Sequence, residues 1–107
     1  MATVHKAFFL FNLKPGLKVE DYIAWTKEVN HKEAASLRTI EEFHDYVCVS
    51  SMRGKPVAYQ FVEEITVTDF DAYTRELDDP NRPRAEGRRF ADWVDPDYLV
   101  LLSERIK

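Results

Sequence analysis

With 107 residues, 45% of them hydrophobic and 32% charged, the chain is long enough for one packed core and too short for a second functional domain. A net charge of −4 argues against nucleic acid as a partner, and apolar runs of about five residues fall far short of the ~20 that span a bilayer. Cys48 stands alone, which excludes an internal disulfide; with no signal-like N-terminal pattern it predicts a cytoplasmic protein.

The first strand is expected over residues 4–13, with His5, Ala7, Phe9, Phe11 and Leu13 on one face and Lys6, Phe8, Leu10 and Asn12 on the other. Its centre, Ala7-Phe8-Phe9-Leu10-Phe11, does not alternate apolar with polar, and neither does Tyr98-Leu99-Val100-Leu101-Leu102 near the other end. Strands of this kind need both faces dry. Helices supply one cover, so a second copy of the chain is expected to supply the other, giving a homodimer closed sheet to sheet. Lys14-Pro15-Gly16 ends the strand. A helix follows, with Glu20 and Asp21 in its first turn, an inward stripe of Val19, Tyr22, Ile23, Thr26 and Val29, and Trp25 flanking it; its end is blurred between Asn30 and Ser36.

Strands over residues 39–51 and 55–67 are joined by a hairpin-like Met52-Arg53-Gly54. Asp69 reads as an N-cap for a short helix with Phe70, Tyr73 and Leu77 inward. Asp78-Asp79-Pro80-Asn81 breaks it. Pro83 suits the first position of a further helix, with Gly87, Phe90, Ala91 and Val94 inward, Trp93 beside them, and Gly87 permitting a close approach to a neighbour. Asp95-Pro96 stops that helix, and residues 98–106 form the last strand. The order strand, helix, strand, strand, helix, helix, strand predicts an α+β domain of the ferredoxin-like class: a four-stranded antiparallel sheet with helices on one face.

Strand parity and helical spacing gather Phe9, Phe11, Tyr22, Trp25, Tyr59, Phe61, Tyr73, Phe90 and Trp93 between sheet and helices, with His5 at the edge. Rings in this pattern either fill the core or line a pocket for a flat aromatic or polyketide-like ligand, and both readings stand at this level. Tyr73 is the sharpest single candidate, because a buried phenol can donate to a ligand carbonyl or act as a general acid. The strand faces also place Asp45 with Phe43 and Val47, and Glu63 with Phe61 and Ile65. His5, His31 and His44 lack metal-ligand spacing, and Glu42-x-His44 offers only two ligands, so no metal is expected. Ser50-Ser51 and Ser103 lie outside any nucleophile elbow and no glycine-rich phosphate loop occurs, so no nucleotide cofactor is expected either. The basic cluster Arg82, Arg84, Arg88 and Arg89, interleaved with Glu86 and Asp92, reads as a solvated face.

The opening Phe9-Leu10-Phe11-Asn12-Leu13-Lys14-Pro15-Gly16, followed by Asp21-Tyr22-x-x-Trp25, resembles the RedY-like HapK family of the dimeric α+β barrel superfamily. The resemblance implies a homodimeric barrel and a pocket between helices and sheet in each subunit. It also implies a link to red tripyrrole pigments of the prodigiosin type, with a bipyrrole aldehyde as ligand. Other relatives in the superfamily include cofactor-free monooxygenases and polyketide cyclases, as well as proteins without catalysis. Cyclase relatives carry a Tyr in the second helix region and a His shortly after a helix-breaking Pro. Tyr73 matches the first, whereas Asn81 and Arg82 follow Pro80 where the His would stand, leaving Arg82 to orient a ligand oxygen.

Overall fold

The computed structural model describes residues 4–82, 84 and 86–106. Four strands, β1 (Lys6–Phe11), β2 (Ile40–Val47), β3 (Phe61–Val67) and β4 (Leu99–Ser103), form one antiparallel sheet in the order β2-β3-β1-β4. This is the ferredoxin-like arrangement. Register fixes the faces: Phe9 pairs with Glu63 and Val100, while Leu10 pairs with Val62 and Leu99. Phe9, Phe11, Phe61, Glu63, Ile65 and Val67 thus share the inner face, which the helices cover.

Among the described residues four helices pack there: α1 (Val19–Trp25), α2 (His31–Ser36), α3 (Phe70–Asp78) and the short α4 (Phe90–Trp93). The blurred end of the first helix resolves into a single rod, because residues Thr26–Asn30 form a π-helical turn joining α1 to α2. Its signature is the His31 amide donating to the Thr26 carbonyl, five residues back. The N-cap of α3 is as expected: the Asp69 carboxylate accepts from the amides of Asp71 (2.9 Å) and Ala72 (3.2 Å).

The observed strands are shorter than the apolar pattern predicts, for identifiable reasons. The β2–β3 connection is no tight hairpin. Residues 48–60 instead cross to the end of β1, where Asn12 Nδ2 donates to the Ala58 carbonyl (3.1 Å), and Asn12 Oδ1 accepts from the Gln60 amide (2.9 Å). Arg53 and Gly54 both adopt positive φ there. Beyond β1, Leu13 makes an isolated bridge to Val94 rather than continuing the ladder.

The helix expected from Pro83 onward shrinks to one turn at Phe90; Pro83 itself lies outside the described residues. Gly87 sits before that turn at φ +89°, with no neighbour within 4 Å of the site of a Cβ, so it serves a change of chain direction rather than helix packing. Ala91 is exposed, while Trp93 and Val94 are buried. The chain after α4 hydrogen-bonds to the end of β1, through the Lys14 amide on the Trp93 carbonyl (2.9 Å) and the Asp95 amide on the Asn12 carbonyl (2.8 Å). These bonds fix which side of Trp93 faces in.

The core has two parts. One surrounds Phe11, Leu13, Tyr22, Phe61, Trp93 and Val94; the other surrounds Ala7, Leu37, Ile65, Val67 and Tyr73. Phe9 touches both.

Candidate functional site

Of the nine predicted pocket rings, most belong to the first part of the core and close on one another. Phe11 stacks on Phe61 with centroids 5.4 Å apart, Tyr22 packs on Phe61 at 4.7 Å and on Trp93 at 5.7 Å, and Trp25 lies 5.8 Å from Trp93. Contacts this close leave no room for a ligand, so Phe11, Tyr22, Phe61 and Trp93 act as packing. Trp25 flanks them, its indole N–H donating to the Arg88 carbonyl (3.2 Å). Tyr59 sits in the connection before β3 and away from the cavity. His5 lies at the sheet end, exposed, with its ring against the Val67 carbonyl (3.2 Å).

The space expected between sheet and helices exists beside the second part of the core. A cavity of about 480 Å³ lies between the inner sheet face and α2, α3 and the segment before α4. Its walls include Phe9, Phe43, Phe70, Tyr73, Phe90 and Tyr98, with Leu37, Ile40, Leu77 and Val100 between them. Phe9, Tyr73, Arg82 and Phe90 are the predicted residues that the fold does bring together there. Arg82 is held by its own helix end, its Nε donating to the Leu77 carbonyl (3.1 Å). Burial first, and then the nearby Glu63, push the Tyr73 phenol up, while Arg82 opposes them.

Residues that the pattern of aromatic stripes did not single out form the polar floor. Asp45 and Glu63 are register partners across β2 and β3, both facing the helices. Glu63 lines the cavity and is only 6% exposed. Asp45 Oδ2 accepts from Thr26 Oγ1 (2.9 Å) and pairs with His31 Nε2 (2.8 Å), and Asn30 donates to Thr26 Oγ1 (3.1 Å). Thr26 and His31 are five residues apart, a spacing that a regular α-helix would splay around its axis. The π turn sets both on Asp45.

Electrostatics at this floor are unusual. Burial, then the charge of the facing Asp45, push Glu63 well above the usual carboxylate range. Glu63 Oε2 and Asp45 Oδ1 are both buried, and a side-chain hydrogen bond between the two carboxyls adds to that rise. The Tyr22 hydroxyl, near Thr26 and Asn30, makes no hydrogen bond of normal geometry among the described residues. Burial, then Glu63 and Asp45, push that phenol up as well. A buried acid whose proton affinity is raised, lining an apolar cavity beside a second acid, is a group that can hold and pass on a proton there. One sequence signal pointed there: an acid at an inward position of two otherwise apolar strand faces.

Among the described residues, no three His, Cys, Asp or Glu side chains converge as a metal-binding group. Glu42 and His44 pair at 3.3 Å on the opposite, outer face.

Fold and cavity together define a ferredoxin-like α+β domain with a small-molecule-sized space between sheet and helices. Two crystal structures share the fold. One is a DABB family protein with a ferredoxin-like fold from Mesorhizobium loti, with a TM-score of 0.69 and 18% identity over 99% of this chain and 100% of that one. The other is HapK from Hahella chejuensis, with a TM-score of 0.63 and 14% identity over 94% and 92%. An uncharacterised protein of Streptomyces coelicolor is 36% identical over 61 residues, which are 55% of this chain and 63% of that protein. The family model for the REDY-like protein HapK matches residues 5–106, and the chain belongs to that family.

Proposed function

We propose that the chain binds a flat aromatic or pyrrolic metabolite in the cavity between sheet and helices, in the cytoplasm, as part of secondary-metabolite biosynthesis of the prodigiosin pigment type. The single observation that carries this reading is the cavity of about 480 Å³, ring-walled and apolar around a few polar groups, which is the usual make-up of a small-molecule site. Tyr73 and Arg82 both line it, which supports a role for them in meeting a ligand oxygen.

A homodimer completes the reading. The outer sheet face carries Phe8, Leu10 and Val62 at its centre, with Tyr46, Leu99 and Leu101 about half exposed around them. A contiguous patch of this kind calls for a partner, and a second copy offers the same surface in return.

A second reading, favoured by Glu63 and Tyr73 sharing one cavity, is a cofactor-independent catalyst, an oxygenase or cyclase that moves a proton within it. A non-catalytic carrier is the third, and turnover of a bound metabolite separates it from the second. Calorimetric titration with 2,2′-bipyrrole-5-carbaldehyde tests the binding reading. Saturable binding of one molecule per chain is expected, abolished in Thr74→Trp, which fills the cavity from α3. No binding, or binding that Thr74→Trp leaves unchanged, overturns it.

A further inference from the structure

We infer that the cavity is built for a ligand carrying a cationic, N–H-bearing nitrogen such as an amidinium or a protonated nitrogen heterocycle, with Glu63 as its recognition residue. This inference rests on the reading of the cavity as a small-molecule site and names the charge of what it takes. Three observations lead to it. Glu63 is more than nine-tenths buried and lines the cavity. It shares a side-chain hydrogen bond with the facing Asp45, which strengthens its hold on a proton, and among the described residues no Lys, Arg or His lies within ion-pair distance of it. Asp45, its register partner, is engaged through Oδ2 by Thr26 and His31, and of the two facing carboxyls Glu63 is the one that lines the cavity.

Two facing buried carboxyls with no cation beside Glu63 are costly to ionise together, and a positively charged occupant with N–H donors is the chemistry that would offset that cost. The rings of Phe9, Phe43, Phe70 and Phe90 suit a planar, delocalised cation better than a compact ammonium, because such a cation combines apolar faces with in-plane donors. On binding, the O–H bond of Glu63 breaks and its proton leaves for bulk solvent. The resulting carboxylate accepts N–H hydrogen bonds from the ligand, and net charge in the cavity stays constant. The groups that tune this exchange are Asp45 on β2 with His31 beside it, Tyr22 on α1, Glu33 on α2, Tyr73 on α3, and Arg82 and Tyr98 in the loops. His31, its side chain 42% exposed, stands at the solvent end of the pair.

The test compares 5-amidinoindole with its neutral isostere indole-5-carboxamide by calorimetric titration near neutral pH, in phosphate and in Tris. The cation is expected to bind at least about tenfold more tightly than the amide. Its enthalpy should differ between buffers in the sense of proton release, and that of the amide should not. Glu63→Gln is expected to remove the preference and the buffer dependence. Equal affinities in the wild-type protein, with the amide bound, overturn this inference and leave the small-molecule reading standing. Failure of both compounds to bind overturns the two together. The wild-type comparison decides the matter even where the Glu63→Gln chain does not fold.

Discussion

Replacing Glu63 with Gln should change how stability depends on pH, in a direction that the buried carboxyl pair dictates. In the folded chain Glu63 holds its proton well above the ordinary glutamate value near 4.5, mainly because it is buried and secondly because Asp45 faces it. Between that value and its folded one, the native state therefore binds more protons than the unfolded state, and stability falls as pH rises. The contribution is fully present below about pH 4.5 and is lost as pH climbs through the folded value. Its slope approaches about 1.4 kcal/mol per pH unit at most, or roughly 5 °C in Tm per unit for a domain of this size. Glutamine keeps the shape, removes the titration and offers an N–H to the facing Asp45 in place of the carboxyl proton. Thermal melts followed by circular dichroism from pH 5 to 8 should show the two curves diverging, with the variant gaining on the wild type as pH rises. The difference reads the Glu63 titration together with its coupling to the facing Asp45. Parallel curves would refute the assignment of a raised pKa to this residue.

Leu10→Glu should dissociate the proposed homodimer at micromolar concentration, since a lone carboxylate in that apolar face costs several kcal/mol; sedimentation velocity showing an intact dimer would reject the sheet-to-sheet interface. Tyr73→Phe removes one hydroxyl at nearly constant shape and should weaken binding of the bipyrrole aldehyde by about 0.5–1.5 kcal/mol with little change in Tm; unchanged affinity would return Tyr73 to the core. Phe11→Ala should cost about 3–5 kcal/mol in urea unfolding, because Phe11 is almost fully buried and meets Tyr22, Phe61 and Phe90 ring to ring; a loss below about 1 kcal/mol would show that this cluster tolerates a void and is looser than its contacts imply. Glu76→Ala should lower stability by about 1 kcal/mol, for its carboxylate accepts from the amides of Arg38 (2.8 Å) and Thr39 (3.0 Å) and from Thr39 Oγ1 (2.6 Å), which ties the turn before β2 to α3; an unchanged urea midpoint would show that this tie adds nothing.

The architecture was legible in the sequence because its signals are local. Apolar runs without alternation at Ala7 and Tyr98, the inward spacing of Phe70, Tyr73 and Leu77, and Asp69 as a cap each depend on a few neighbouring residues and the period of one element. They also set which strand positions face the helices, so Phe9 and Tyr73 could be assigned to the inner space before any contact was known. What the rings do there is a matter of distance between elements, which no periodicity contains. Only the tertiary structure separates Phe11, Tyr22, Phe61 and Trp93, whose rings fill one another's space, from Phe9, Tyr73 and Phe90, which border a cavity.

The polar floor was hidden for the same reason. Asp45 and Glu63 are far apart in the chain and meet only through the β2–β3 register, and Thr26 and His31 converge on Asp45 only because the helix between them widens into a π turn. A strand's parity announces that an acid points inward. Whether it is neutralised, paired or left open to a ligand depends on the groups that three other elements bring to it, and that is decided by packing alone.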